Sequence, residues 1–109
     1  MEDRRIFERI GTKLPVRFLD PSSGREGKAD TMDISANGLG LVTNERLSVM
    51  TPLEMWLGIP DQHEPLYTRG QVVWAEPLPG SDEHRVGVRL EKAELMGLAR
   101  VLWLKGRSA

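Results

Sequence analysis

Apolar and polar residues alternate with a period of two through most of the chain. Leu14, Val16 and Phe18 alternate with Pro15, Arg17 and Leu19, which predicts a half-buried strand. Residues 20–27 (DPSSGREG) carry loop chemistry, and residues 28–34 fit a second strand. Asn37-Gly38 is a strong short hairpin signal, after which Leu39 and Leu41 lead a third strand. Residues 44–51 read as a connection. Leu53, Met55, Leu57 and Ile59 alternate with Glu54, Trp56 and Gly58 in a fourth strand, and residues 60–65 form a loop. Residues 66–76 make a long fifth strand, in which Gly70 predicts a bulge or bend. Residues 77–83 turn the chain. His84, Val86, Val88 and Leu90 then alternate with Arg85, Gly87 and Arg89 in a sixth strand.

After these strands the period changes. Over residues 93–105 the spacing predicts a helix: Leu95, Met96, Leu98, Ala99, Leu102 and Trp103 fall on one arc about 160° wide, enough to cover a core. Val101 and Leu104 lie outside that arc among polar positions and are candidates for a protein-binding face. Six strands followed by one helix predict a mainly β fold, a six-stranded antiparallel barrel with the C-terminal helix packed over one opening. Residues 1–11 are polar, lack a sustained apolar period and end in Gly11. They read as a flexible arm ahead of a barrel domain spanning 12–109.

Composition narrows the function. The 109 residues fit one domain, and without cysteine there is no disulfide, thiolate nucleophile or cysteine-ligated metal. No apolar run approaches a membrane span or a signal peptide, so the expectation is a cytoplasmic protein without membrane insertion. A net charge of −1 argues against a DNA or RNA binder. Positive charge is instead concentrated at the start: Arg4, Arg5, Arg9, Lys13 and Arg17 face Glu2, Asp3 and Glu8. That suits a small anion better than a long polyanion.

Two stretches carry candidate chemistry. RRIFER places Arg5 and Arg9 four apart on the arm. A guanidinium is planar, always charged and forked, so it can pair with phosphate, pair with a purine edge or stack on a base. Two of them can clamp one anion from two sides. By itself the pattern also fits a solvated tail with a local Arg4–Glu8 pair. DISANG supplies Asp33, Ser35 and Gly38. Strand alternation puts Asp33 and Ser35 on one face, and Gly38 lets backbone approach a ligand. A carboxylate accepts from the N1 and N2 hydrogens of guanine but repels phosphate, so the pair fits a guanine edge. The competing account is a plain hairpin capped by Asp33 or Ser35.

Other residues carry less. A Ser35–His84–Asp33 triad is awkward, because Asp33 and Ser35 are two apart on one strand. The two histidines, His63 and His84, lack metal-ligand spacing. Gly38-Leu-Gly40 does not precede a helix, which rejects a dinucleotide fold. Trp56 and Trp74 read most simply as barrel packing. Trp56 alternates away from Met55 and Leu57, so a partner contact is the other reading.

Taken together, Arg5-Ile-Phe-Glu-Arg9 and Asp33-Ile-Ser35-Ala-Asn-Gly38 resemble the PilZ domain family of bacterial cyclic di-GMP receptors, whose pattern is Arg-x-x-x-Arg followed some two dozen residues later by Asp/Asn-x-Ser-x-x-Gly. GTKLPVRFLD, GQVVWAE and HRVGVRLE are similar to that family's strands, and the resemblance runs over essentially the whole chain. Leu41 stands where many members carry an aromatic residue. The resemblance implies that Arg5 and Arg9 grip guanine and phosphate, that Asp33 and Ser35 bind the guanine edge, and that Gly38 keeps the turn close. It also implies a receptor and adaptor, not an enzyme, which changes conformation on binding the second messenger and regulates a partner protein, with the C-terminal helix as a candidate contact. Members with arginine at the position of Arg4 tend to bind two intercalated cyclic di-GMP molecules, so two per chain are expected, with no other cofactor and no metal. The alternative is a PilZ-like protein–protein interaction module with weak or no nucleotide binding.

Overall fold

The computed structural model describes residues 10–11, 13–35, 38–60 and 63–91, the backbone alone at Ile10, Gly11 and Ser35. Among the described residues there are seven strands: β1 (Ile10–Gly11), β2 (Pro15–Asp20), β3 (Arg25–Ser35), β4 (Gly38–Thr43), β5 (Pro52–Leu57), β6 (Leu66–Pro77) and β7 (His84–Leu90). All pairings are antiparallel. The neighbours run β3-β2-β5-β6-β7-β4, and β4 pairs back onto β3, so six strands close into the expected barrel. Among the described residues, closure leaves no long open edge for another chain to extend. The seventh piece, β1, continues the β2 side of β3: β2 takes residues 25–30, and β1 takes Asp33 and Ile34.

The core follows the period-two pattern. Phe18, Leu41, Met55, Leu57, Val72 and Val86 are fully buried. Burying each such side chain is worth about 1.5–3 kcal/mol, ample to drive the strands together. Buried hydroxyls are satisfied locally. The Leu14 N–H donates to Thr31 Oγ1 at 2.8 Å while the Thr31 N–H donates to the Leu14 carbonyl at 2.9 Å, which fixes the entry of β2. Thr43 Oγ1 donates to the Lys28 carbonyl at 2.7 Å.

Three features depart from the sequence expectation. First, β3 begins at Arg25, three residues before the expected start, because the loop is tighter than its composition implies. The Asp20 carboxylate accepts from the Ser22 hydroxyl (2.6 Å), the Ser22 N–H (2.9 Å) and the Ser23 hydroxyl (2.9 Å), and the Gly24 N–H donates to the Asp20 carbonyl at 2.7 Å. The Ser22 hydroxyl bond is the main reason the Asp20 carboxyl is held below its ordinary pKa; slight desolvation opposes it. Second, the bulge expected at Gly70 is absent there. Gly70 sits in regular register with Leu53 and Leu90, and a Cβ would come within 2.7 Å of the Arg89 carbonyl oxygen and 2.8 Å of Leu90 Cδ2. The strand needs glycine at this point for close approach.

Third, two bulges occur where neither glycine nor proline marks them. On β3, Thr31 pairs with Leu41 and Asp33 with Gly40, so Met32 is an extra residue. On β6, Val72 pairs with Val88 and Trp74 with Gly87, so Val73 is an extra residue. Each bulge reverses which parity faces the core. Residues 1–9, Asn37 and the helix expected over 93–105 lie outside the described residues.

Candidate functional site

The two bulges shape one outer face of the barrel. Before Met32 the odd residues of β3 point inward, with Ala29 and Thr31 buried; after it Ile34 is buried instead. Without the extra residue, Asp33 would point into the core. With it, Asp33 is turned outward. Val73 has the same effect on β6: Val72 is buried, while Trp74 is turned out and 41% exposed.

The ladders then put these two side chains in one cross-strand row. Asp33 pairs with Gly40, Gly40 with Gly87, and Gly87 with Trp74. The row spans roughly 14 Å at ~4.8 Å per strand. Its two middle positions have no side chain, and both end residues lean over them. Asp33 Oδ1 lies 2.8 Å from where a Gly40 Cβ would be, and the Trp74 indole occupies the place of a Gly87 Cβ. Between them is a shallow cleft of about 150 Å³.

Gly38 closes one end of this face. It pairs with Ser35 on β3 and Arg89 on β7. Its φ is +135°, and a Cβ would collide with the Val88 carbonyl oxygen. Only glycine is unstrained there. At the other end Arg85 pairs with Glu76 at 3.6 Å. Chemically the face offers a carboxylate acceptor, bare backbone and an exposed indole, which suits a flat ligand with N–H donors on its edge.

The Asp-x-Ser-x-x-Gly residues therefore meet: Asp33 and Gly38 lie on this face, and the Ser35 backbone lies between them. The arm also ends there, since Gly11 pairs with Asp33 and Ile10 with Ile34. Arg4, Arg5 and Arg9, and the side chain of Ser35, lie outside the described residues. The triad geometry is excluded. Ser35 is opposite Gly38, which is opposite Arg89, whereas His84 pairs with Thr43 about 17 Å further along β7.

Gly40, Gly87 and Trp74 were not legible as site residues from motifs. The trace of the two glycines in the sequence is their place at outward strand positions, where glycine contributes nothing to a core. The barrel-packing reading of Trp74 fails because the Val73 bulge turns the ring out. Trp56 lies on another face and is partly buried: the Arg17 guanidinium stacks 4.8 Å from its ring centroid, and the Tyr67 ring lies 5.4 Å away.

Comparison with known proteins agrees on the architecture. Among solved structures, the chain is similar to the Bacillus subtilis inhibitor of motility MotI/DgrA, with TM-score 0.67 and 15% identity, over 94% of this chain and 51% of that one. The chain thus spans about half of that protein. It is similar to the PilZ domain of YcgR from Escherichia coli, solved with c-di-GMP, with TM-score 0.67 and 14% identity, over 96% of this chain and 93% of that one. The PilZ domain of CeSA from a cellulose-synthesizing bacterium gives TM-score 0.57 and 16% identity, over 87% and 97%. At such identities the likeness is one of fold. No curated protein sequence matches the chain significantly. The family model of the PilZ domain matches residues 3–106. With both motifs, the closed barrel and that near-complete match in agreement, the chain belongs to the PilZ domain family.

Proposed function

We propose that the chain is a receptor for cyclic di-GMP that passes ligand binding on to a partner protein. The observation that carries this reading is the outward turn of Asp33 at the Met32 bulge. It brings a carboxylate onto bare backbone beside the pairing site of the arm. A guanine edge can donate its N1 and N2 hydrogens to Asp33, while the base stacks against the exposed part of the Trp74 indole. Arg5 and Arg9 close from the arm on phosphate and base, and Ser35 adds a hydroxyl to the guanine edge. Gly38 keeps the turn low enough for the ligand to pass. The family likeness and the c-di-GMP in the YcgR domain favour this ligand.

The part of the arm ahead of β1, residues 1–9, closes over the ligand on binding, and the resulting surface is what a partner reads. Arg4 adds a third fork to the arm, so two intercalated ligand molecules bind per chain. The outward residues Val101 and Leu104 of the expected terminal helix are the partner contact. The protein is a receptor and not an enzyme. Calorimetric titration with cyclic di-GMP, cyclic di-AMP and GTP tests the reading. Saturable binding of cyclic di-GMP alone, at two per chain, is expected; no binding of it would leave the interaction-module alternative.

A further inference from the structure

Beyond the Gly38 end of this face lies a trough of about 540 Å³, lined by Arg69, Gly70, Gln71, Arg89, Leu90 and Glu91. Arg89 stands at the seam. Its backbone pairs with Gly38 on one side and Gln71 on the other, and its neighbours Val88 and Leu90 are buried, so its own side chain points outward. The trough holds two guanidiniums and one carboxylate. The carboxylate, Glu91, lies 3.9 Å from Arg69, a long contact between two well-exposed side chains. The Gln71 amide is turned away, donating to the Met50 carbonyl at 3.3 Å. The Arg89 side chain has no hydrogen bond or ion pair among the described residues. A forked, unpaired guanidinium at a concave surface matches the two free oxygens of a phosphodiester.

We propose that this trough is a phosphodiester subsite with Arg89 as its anchor. It holds a ligand phosphate from the barrel side while the base stacks against the exposed part of the Trp74 indole. The inference rests on the cyclic di-GMP reading and adds a residue outside both motifs. The test is calorimetric titration of the full chain with cyclic di-GMP, comparing wild type, Arg89→Ala and Arg89→Gln, with thermal unfolding of each apo protein. The expected result is an unchanged melting temperature and affinity lowered about 10-fold or more in both variants. The salt dependence of binding becomes shallower as well, which a structural role would not produce. If Arg89→Ala does not fold, Arg89→Gln, which keeps most of the side-chain stem, decides the matter. Wild-type binding with unchanged affinity and salt dependence in the folded variants would overturn the subsite and leave the receptor reading standing. No wild-type binding would overturn both.

Discussion

Two outer faces of the same barrel present a tryptophan in a cross-strand row, and they treat it in opposite ways. On the β2–β5–β6 side the row is Arg17, Trp56 and Tyr67, and every position has a side chain. Arg17 stacks on Trp56, Tyr67 tilts against it at 56°, and the Tyr67 hydroxyl donates to Glu54 at 2.8 Å. On the β3–β4–β7–β6 side the row is Asp33, Gly40, Gly87 and Trp74. Here the middle of the row has no side chain of its own, and the Asp33 carboxylate and the indole lean over it, with 41% of Trp74 exposed. A row filled with complementary side chains satisfies itself and stabilises the sheet. A row emptied by glycine contributes less to the sheet and leaves polar edges and a ring face for something else.

The glycine-floored face is most sensitive at Gly38. Gly38→Ala forces a Cβ into the Val88 carbonyl at a φ of +135°. We expect a loss of about 3 kcal/mol, read as a fall of 10 °C or more in melting temperature, together with loss of ligand binding. Next come the arm arginines. Arg5→Ala or Arg9→Ala should weaken cyclic di-GMP binding roughly 10- to 150-fold, as one or more charged hydrogen bonds are lost, with the apo melting temperature unchanged. Calorimetry and thermal unfolding of the same samples separate the two effects.

The two tryptophans then give opposed outcomes. Trp74→Ala should lower ligand affinity about 10-fold, the loss of one base stack, and barely change stability. Trp56→Ala should leave affinity unchanged and lower the melting temperature by about 5–10 °C, because a cation–π contact and a ring pair are removed. Reversed outcomes would mean that the faces had been assigned the wrong way round.

Legibility in the sequence followed the same division. Leu14, Val16 and Phe18, or Val86, Val88 and Leu90, reveal their strands because a two-residue period is itself the burial pattern. The closed barrel followed from six such runs. The Asp-x-Ser-x-x-Gly motif was also readable, but the reason Asp33 faces outward was not. Nothing in the side chains of Met32 and Val73 marks them out, and an extra residue is visible only in the register of the neighbouring strand. Counting parity straight through Val72 carries Trp74 inward, whereas the extra residue turns it out. Gly70 misled in the reverse sense: it fits a tight approach and not an irregularity.

The smallest expected effect lies in the loop between β2 and β3, away from both rows. The Asp20 carboxyl titrates below its ordinary value, chiefly through the Ser22 hydroxyl. A depressed folded pKa gives stability that is present above the unfolded pKa and lost as pH falls through the folded one. Ser22→Ala should therefore raise the Asp20 pKa toward the ordinary carboxylate value, seen by NMR titration. At neutral pH, ligand affinity should stay unchanged.

Which face takes the ligand is read most directly by a two-dimensional NMR titration of the ¹⁵N-labelled chain with cyclic di-GMP. Large shifts are expected at the amides of Asp33, Gly38, Gly40 and Gly87 and at the Trp74 indole N–H, with the Trp56 indole N–H unmoved. Shifts centred on Arg17, Trp56 and Tyr67, or no shifts at saturating ligand, would contradict this placement of the ligand.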